Sequence, residues 1–118
     1  MAAVKNAAGK PVKPTLESTS AAAAGVEMPD DFRVSITNAA GEAAYPIAGF
    51  TYLLVYKDLP DAAKGRAIVE FLWWAIHDGQ KQAAALDYAP LPAPVQAKVA
   101  AALQAMTVQG QRVLTKAD

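Results

Sequence analysis

Four places in this sequence hold residue types that could do chemistry: the His77–Asp78 pair, the carboxylates Asp30 and Asp31, the Gly9–Lys10 step and the Trp73–Trp74 pair. A nucleophilic relay needs an imidazole held by a carboxylate on one nitrogen and a hydroxyl on the other. Consecutive residues on a helix point about 100° apart, so Asp78 is badly placed to orient the ring of His77. His77 is the only histidine and the chain has no cysteine, which rules out the usual zinc donor sets. Its place near a helix end suits a cation favoured by the negative pole of the helix. Acid–base chemistry on a glycoside needs two carboxyl groups facing each other across roughly 5–9.5 Å. Adjacent acids between Pro29 and Phe32 are expected to be solvated or capping instead. Gly9–Lys10 has the ending of a phosphate loop, but that motif also needs Gly at position 4 and Ser or Thr at position 11, where Val4 and Pro11 stand. Trp73 and Trp74 lie in a dense apolar stretch and are expected to pack against a sheet. The reading is of no enzyme, with no catalytic residue, no metal ligand and no cofactor.

Composition narrows the partners. Eleven basic and eleven acidic residues cancel to a formal charge of zero, so no long-range field gathers nucleic acid or anionic lipid. At 118 residues and 53% hydrophobic, the chain is expected to fold as one modest domain around one core. Met1 to Lys13 lacks the apolar stretch of an export signal, so no signal peptide is expected in this chain. The longest apolar run, Phe50 to Tyr56, is far shorter than the roughly 20 residues that span a bilayer.

The elements that would position any site can be read from pattern. Ala7 to Pro11 reads as a turn. Thr15 is placed to cap a helix over Leu16 to Ala24 that stops at Gly25. Arg33 to Thr37 alternates polar and apolar residues, as a strand with one wet face does, and Asn38 to Glu42 reads as a turn. Phe50 to Tyr56, FTYLLVY, reads as a strand covered on both faces. Pro60 and Asp61 open a long helix whose apolar residues, Ile68 to Ile76, occupy more than one face, so most of its girth is expected to be buried. Gly79 ends or kinks it, and Gln80 to Leu86 is a further helical stretch before the break at Pro90, Pro92 and Pro94. Val95, Val99, Leu103 and Met106 form one stripe on a last helix, Gly110 terminates it, and a polar tail runs to Asp118. The class is α/β, with few strands, three to four helices and an incomplete sheet. A doubly covered strand needs neighbours that this chain lacks. The sequence therefore reads as part of a larger α/β protein or as a chain that pairs with a second copy.

Residues Ala44 to Asp58 (AYPIAGFTYLLVYKD), Ala67 to Gln80 (AIVEFLWWAIHDGQ) and Asp87 to Pro92 (DYAPLP), with Gly9 to Gly25 and Asp31 to Ile47 upstream, resemble in order and spacing the closing third of the periplasmic phosphate-binding proteins of ABC transporters. The resemblance implies a partial lobe of a bilobed binding-protein fold that closes on phosphate and delivers it to a membrane permease. It implies two parts: residues 1–47 as the end of the second lobe and the crossover, and 48–118 as the C-terminal part of the first lobe. Tyr45, Pro46 and Ile47 match the crossover between lobes and are expected to serve as a hinge. The family's phosphate ligands, including a Ser-Gly-Thr loop, match nothing here, so no phosphate-binding residue is carried over. Inorganic phosphate and the permease are thus partners only of the complete receptor, and the resemblance implies a periplasmic location. The alternative is a self-associating module that binds no ligand of its own.

Overall fold

Thr15 begins the first helix as its chemistry dictates. Its hydroxyl accepts from the Ser18 backbone N–H at 3.1 Å, while the Ser18 hydroxyl accepts from the Thr15 N–H at 2.9 Å. This reciprocal box satisfies two orphan donors of the first turn, and the helix α1, Leu16–Ala24, runs to Gly25. The computed structural model describes residues 1–114. Before α1 lies a small antiparallel pair, β1 (Val4–Lys5) and β2 (Pro11–Val12), joined through the expected turn at Gly9. Pro11 opens β2 at an edge, where a missing N–H costs nothing.

The second helix, α2 (Ala62–Ile76), starts where Asp61 accepts from the Lys64 N–H at 2.9 Å. A short α3 (Gln80–Ala83) and a 3₁₀ turn (Ala84–Leu86) precede α4 (Ala93–Gln104). A three-stranded sheet closes this half: β3 (Asp58–Leu59) pairs in parallel with β4 (Thr107–Val108), which pairs antiparallel with β5 (Gln111–Arg112). Among the described residues the protein is mixed α/β, with four α-helices and two small incomplete sheets.

Two cores form, against the expectation of one. Ala22, Ala23, Ile36, Ala39, Ala44 and Ala48 make the first; Leu59, Val69, Leu72, Ile76, Leu103, Met106, Val108 and Leu114 make the second. The first is built mostly of alanine and buries little area per residue; the second buries branched side chains worth about 1.5–3 kcal/mol each. The radius of gyration is 16.3 Å, against roughly 13–14 Å for a compact domain of this length, so the chain is elongated with a core at each end. We call residues 4–50 the amino-terminal unit and 57–114 the carboxyl-terminal unit.

Several strand and burial expectations are corrected. Arg33 to Thr37 forms no ladder, although its period of two survives as burial: Phe32, Val34 and Ile36 turn inward and Arg33, Ser35 and Thr37 outward. It lies beside residues 46–52 through isolated bonds instead. Asn38 N–H donates to Pro46 O, Thr37 Oγ1 to Ala48 O and Tyr52 Oη to Val34 O. Phe50 to Tyr56 is likewise not a strand: it joins neither of the two ladders of the described residues. The girth of α2 is less buried than its composition suggested: Phe71 is 57% and Trp74 49% exposed, while Trp73 packs partly on the second core. Only one face of α2 meets α4 and β4, so Trp74 is not the core residue its neighbours implied. The expected polar tail holds a hairpin and a buried Leu114, and its last residues, 115–118, lie outside the described residues.

Gly65 sits on α2 where helix and sheet approach most closely. A Cβ there would stand 2.8 Å from a Val108 methyl and 3.0 Å from Leu59 Cβ. A side chain at this position must push β3 and β4 off the helix. Gly65→Leu is therefore expected to destabilise the carboxyl-terminal unit by about 2–3 kcal/mol, the upper part of the overpacking range, even though leucine is the better helix former. Urea unfolding followed by tryptophan fluorescence reads this directly, and an unchanged midpoint would show the contact to be slack.

Candidate functional site

Tyr45, Pro46 and Ile47 occupy the way out of the amino-terminal core. Ala44 and Ala48, both buried in that core, bracket them. The Tyr45 N–H donates to Ser18 O at 3.0 Å, and Pro46 O accepts from the Asn38 N–H at 2.8 Å. Tyr45 is half-buried, Pro46 is buried, and Ile47 is 68% exposed. The segment is thus fixed to α1 on one side and to the Asn38 turn on the other, with the φ of Pro46 restricted by its ring.

Five residues beyond Ile47, at Tyr52, the chain enters its most exposed apolar stretch. Tyr52 is 48% exposed, Leu53 65%, Leu54 96%, Val55 44% and Tyr56 80%. Side chains on both faces of this extended run meet water, and the run leads directly into β3, whose far edge is also unpaired among the described residues. Isolated exposed leucines are ordinary, whereas five consecutive large apolar residues on an open edge form a surface built to be covered.

The places singled out for chemistry are taken up by structure. His77 closes α2, with Nδ1 donating to Trp73 O at 2.8 Å and its ring 4.2 Å from the Trp73 ring. A carbonyl can only accept, so Nδ1 carries the proton. Asp78 turns to Lys81 at 2.6 Å, and that ammonium holds its carboxyl below the usual range. Asp30 pairs with Lys98 at 2.8 Å, while Asp31 accepts from the Arg33 N–H. Lys10 reaches Glu42 at 2.5 Å. Among the described residues no cluster of His, Asp and Glu could hold a metal ion, and no helix is long and apolar enough to cross a membrane.

Two polar residues that pattern reading passed over organise the backbone. Asn6 is 6% exposed, and its amide donates to the carbonyls of Gly41, Glu42 and Ala44 and accepts from the N–H groups of Ala8 and Lys10. The available signal was Asn three residues before Gly9, an Asx turn into a hairpin. Asp58 is the other: its Oδ1 accepts from the Thr107 hydroxyl at 2.5 Å and from the Gly110 N–H at 2.9 Å. These bonds, the hydroxyl first, lower its pKa from the ordinary 3.8. A lowered carboxyl pKa means the ionised form is favoured on folding. Its contribution is present above about pH 3.8 and is lost as pH falls through the folded value. Acid titration followed by NMR is therefore expected to shift Gly110 and Thr107 below pH 4, and Asp58→Asn to remove that step. Titration of those amides together with every other resonance would show the bond carries no local weight.

A shallow recess of about 180 Å³ is lined by Ala62, Arg66, Val108, Gln109, Gln111, Arg112 and Val113. Both guanidinium-bearing residues and both glutamines are exposed. A recess this open would leave any anion in competition with water, and its volume is below the roughly 300 Å³ at which ligand clefts begin.

No protein-family model matches the chain. Individual proteins do. The phosphate-binding protein PstS of Xylella fastidiosa strain 9a5c is 46% identical over 92 residues, which are 76% of this chain and 25% of that protein. The protein of the same name from Pasteurella multocida is 33% identical over 102 residues, 85% of this chain and 30% of its own length. That from Methanocaldococcus jannaschii is 36% identical over 109 residues, 80% and 28% respectively. The chain spans 25–30% of the length of these curated relatives. A segment with two separate small cores, an uncovered strand-like run and this degree of identity to proteins from distant organisms is, over its matched residues, a PstS-like segment.

Proposed function

We propose that this chain is part of the phosphate-binding component of an ABC-type import system, periplasmic as its relatives' role requires, and that it supplies scaffold and crossover but none of the groups that grip phosphate. The identity to proteins named for phosphate binding supports this, and so does the uncovered run at Tyr52 to Tyr56, which calls for strands from elsewhere in a larger sheet. On this reading residues 1–47 close the second lobe and cross over, residues 48–118 complete the first lobe, and Tyr45, Pro46 and Ile47 form the hinge. The ring of Pro46 restricts its φ, and the chain leaves the first core within a few residues of it, so a rotation there would be concentrated at few bonds. Phosphate needs converging donors from both sides of a cleft. The contact with the permease belongs to the assembled receptor, and the work is binding and delivery, not turnover.

The test is calorimetric titration with inorganic phosphate. The chain alone is expected to give no saturable heat, and binding is expected once the rest of the receptor is supplied as a second polypeptide. Micromolar binding by the chain alone would overturn the reading. One observation favours a second reading, a module that self-associates: the same exposed run is chemically able to pair with its own copy.

A further inference from the structure

We infer that Lys98 is a clamp that sets how the amino-terminal unit sits on the carboxyl-terminal one. Its ammonium donates to Met28 O at 2.5 Å and pairs with Asp30 Oδ1 at 2.8 Å, across 70 and 68 positions of sequence. Among the described residues the other side-chain hydrogen bond joining the units is from Ser20 Oγ to Pro90 O at 3.3 Å, long for a hydroxyl donor. The cores share no residue, so no continuous apolar interior fixes the angle between them. Val95 lies three residues before Lys98, on the same face of α4. Val95 and Met28 are 4% and 9% exposed, yet both stand outside the two cores, which locates the seam at this cation. The Lys98 side chain is 34% exposed and the Asp30 side chain fully so. The two contacts therefore differ in kind: the carboxylate is screened by salt, whereas the partly sheltered main-chain bond is not.

This inference rests on the two units of the fold, residues 4–50 and 57–114, and not on the proposed function, and its test uses no phosphate, so the two can fail separately. The chain has no cysteine, so Ala43→Cys and Ala101→Cys, both at exposed positions, take nitroxide labels cleanly, one on each unit. Pulsed electron resonance is expected to give a narrow distance distribution that broadens at least twofold with Lys98→Met, which keeps the apolar stem. Asp30→Asn is expected to broaden it less, and 1 M salt to act like Asp30→Asn. Tryptophan fluorescence and amide dispersion check that both units stay folded in each variant. An unchanged distribution in folded Lys98→Met, or a parent distribution already as broad as the variant's, overturns the clamp.

Discussion

Asn6→Leu is expected to cost the amino-terminal unit about 3 kcal/mol while leaving the carboxyl-terminal unit untouched. The side chain of Asn6 is nearly sealed from water and ties the β1–β2 turn to the loop at residues 41–44. Leucine keeps the branched heavy-atom skeleton, though its methyls are bulkier, and three carbonyls and two N–H groups lose their partner. Each such group left dry costs about 1–3 kcal/mol. Most of these bonds are only partly buried and water recovers some of them, which brings the sum to the figure above. The amino-terminal unit has a core mainly of alanines and little reserve. Both tryptophans lie on α2, in the other unit, so fluorescence is blind to this change. Amide exchange at Ala8, Lys10 and Ala44 is expected to accelerate about a hundredfold while the fluorescence transition stays put. Asn6→Asp separates the two halves of the role. It keeps the acceptor for Ala8 and Lys10 but sets an anion against three carbonyls, so it is expected to be as damaging at pH 7 and milder in acid, where the protonated carboxyl donates one bond. Unchanged exchange in Asn6→Leu would show that the loop holds without it.

Leu54→Lys is expected to have opposite effects in two settings. In the isolated chain Leu54 is 96% exposed, so a charge there removes no contact and should change stability by no more than about 0.5 kcal/mol. It does interrupt a run of high strand propensity with no proline and no charge, the kind of segment that pairs edge to edge. Light scattering at tens of micromolar is expected to show the parent chain associated and Leu54→Lys monomeric. In the complete receptor the same lysine would meet the interior of a sheet, and an unpaired charge there costs several kcal/mol. Loss of receptor folding supports the scaffold reading; a receptor indifferent to the substitution supports the self-associating module. A compact monomeric parent would remove the second reading altogether.

How much of this could be read beforehand follows from where the information lies. Helices were legible because their signals are local. Thr15, Gly25 and Asp61 act within one or two turns and ended up as caps, and of the stripe Val95, Val99, Leu103 and Met106 the first three lie on α4, with Val95 and Leu103 buried; the helix ends at Gln104, not at Gly110, so Met106 is buried beyond it. The strands were not, because a strand is defined by its partner. Val34 and Ile36 keep the burial of a strand without its ladder, and Phe50 to Tyr56 keeps the composition without the cover. The three-stranded sheet, like the smaller one, uses two-residue strands, too short to show a period. Its hairpin turns on Gln109 and Gly110, both at positive φ, where glutamine gives none of the usual Asn-Gly signal. Asp58 and Lys98 escaped notice because their partners are 49 or more residues away, and the same distance hides the three carbonyls that Asn6 ties, 35 or more residues on, beyond its local bonds to Ala8 and Lys10. The crossover proposed at Tyr45, Pro46 and Ile47 rests on resemblance alone, since nothing in the letters Tyr-Pro-Ile distinguishes a joint from ordinary packing.

The parallel pairing of β3 with β4 sets an order of events during synthesis. Leu59 has no sheet neighbour until Val108 has been made, 49 residues later, so most of the second core waits as loose helices on the ribosome. The first core gathers residues that all lie between Ala22 and Phe50, so it closes over much shorter loops and earlier than the second. A nascent chain stalled just short of Val108 should therefore present a finished amino-terminal half and a greasy, protease-sensitive remainder, the form a chaperone would most readily seize.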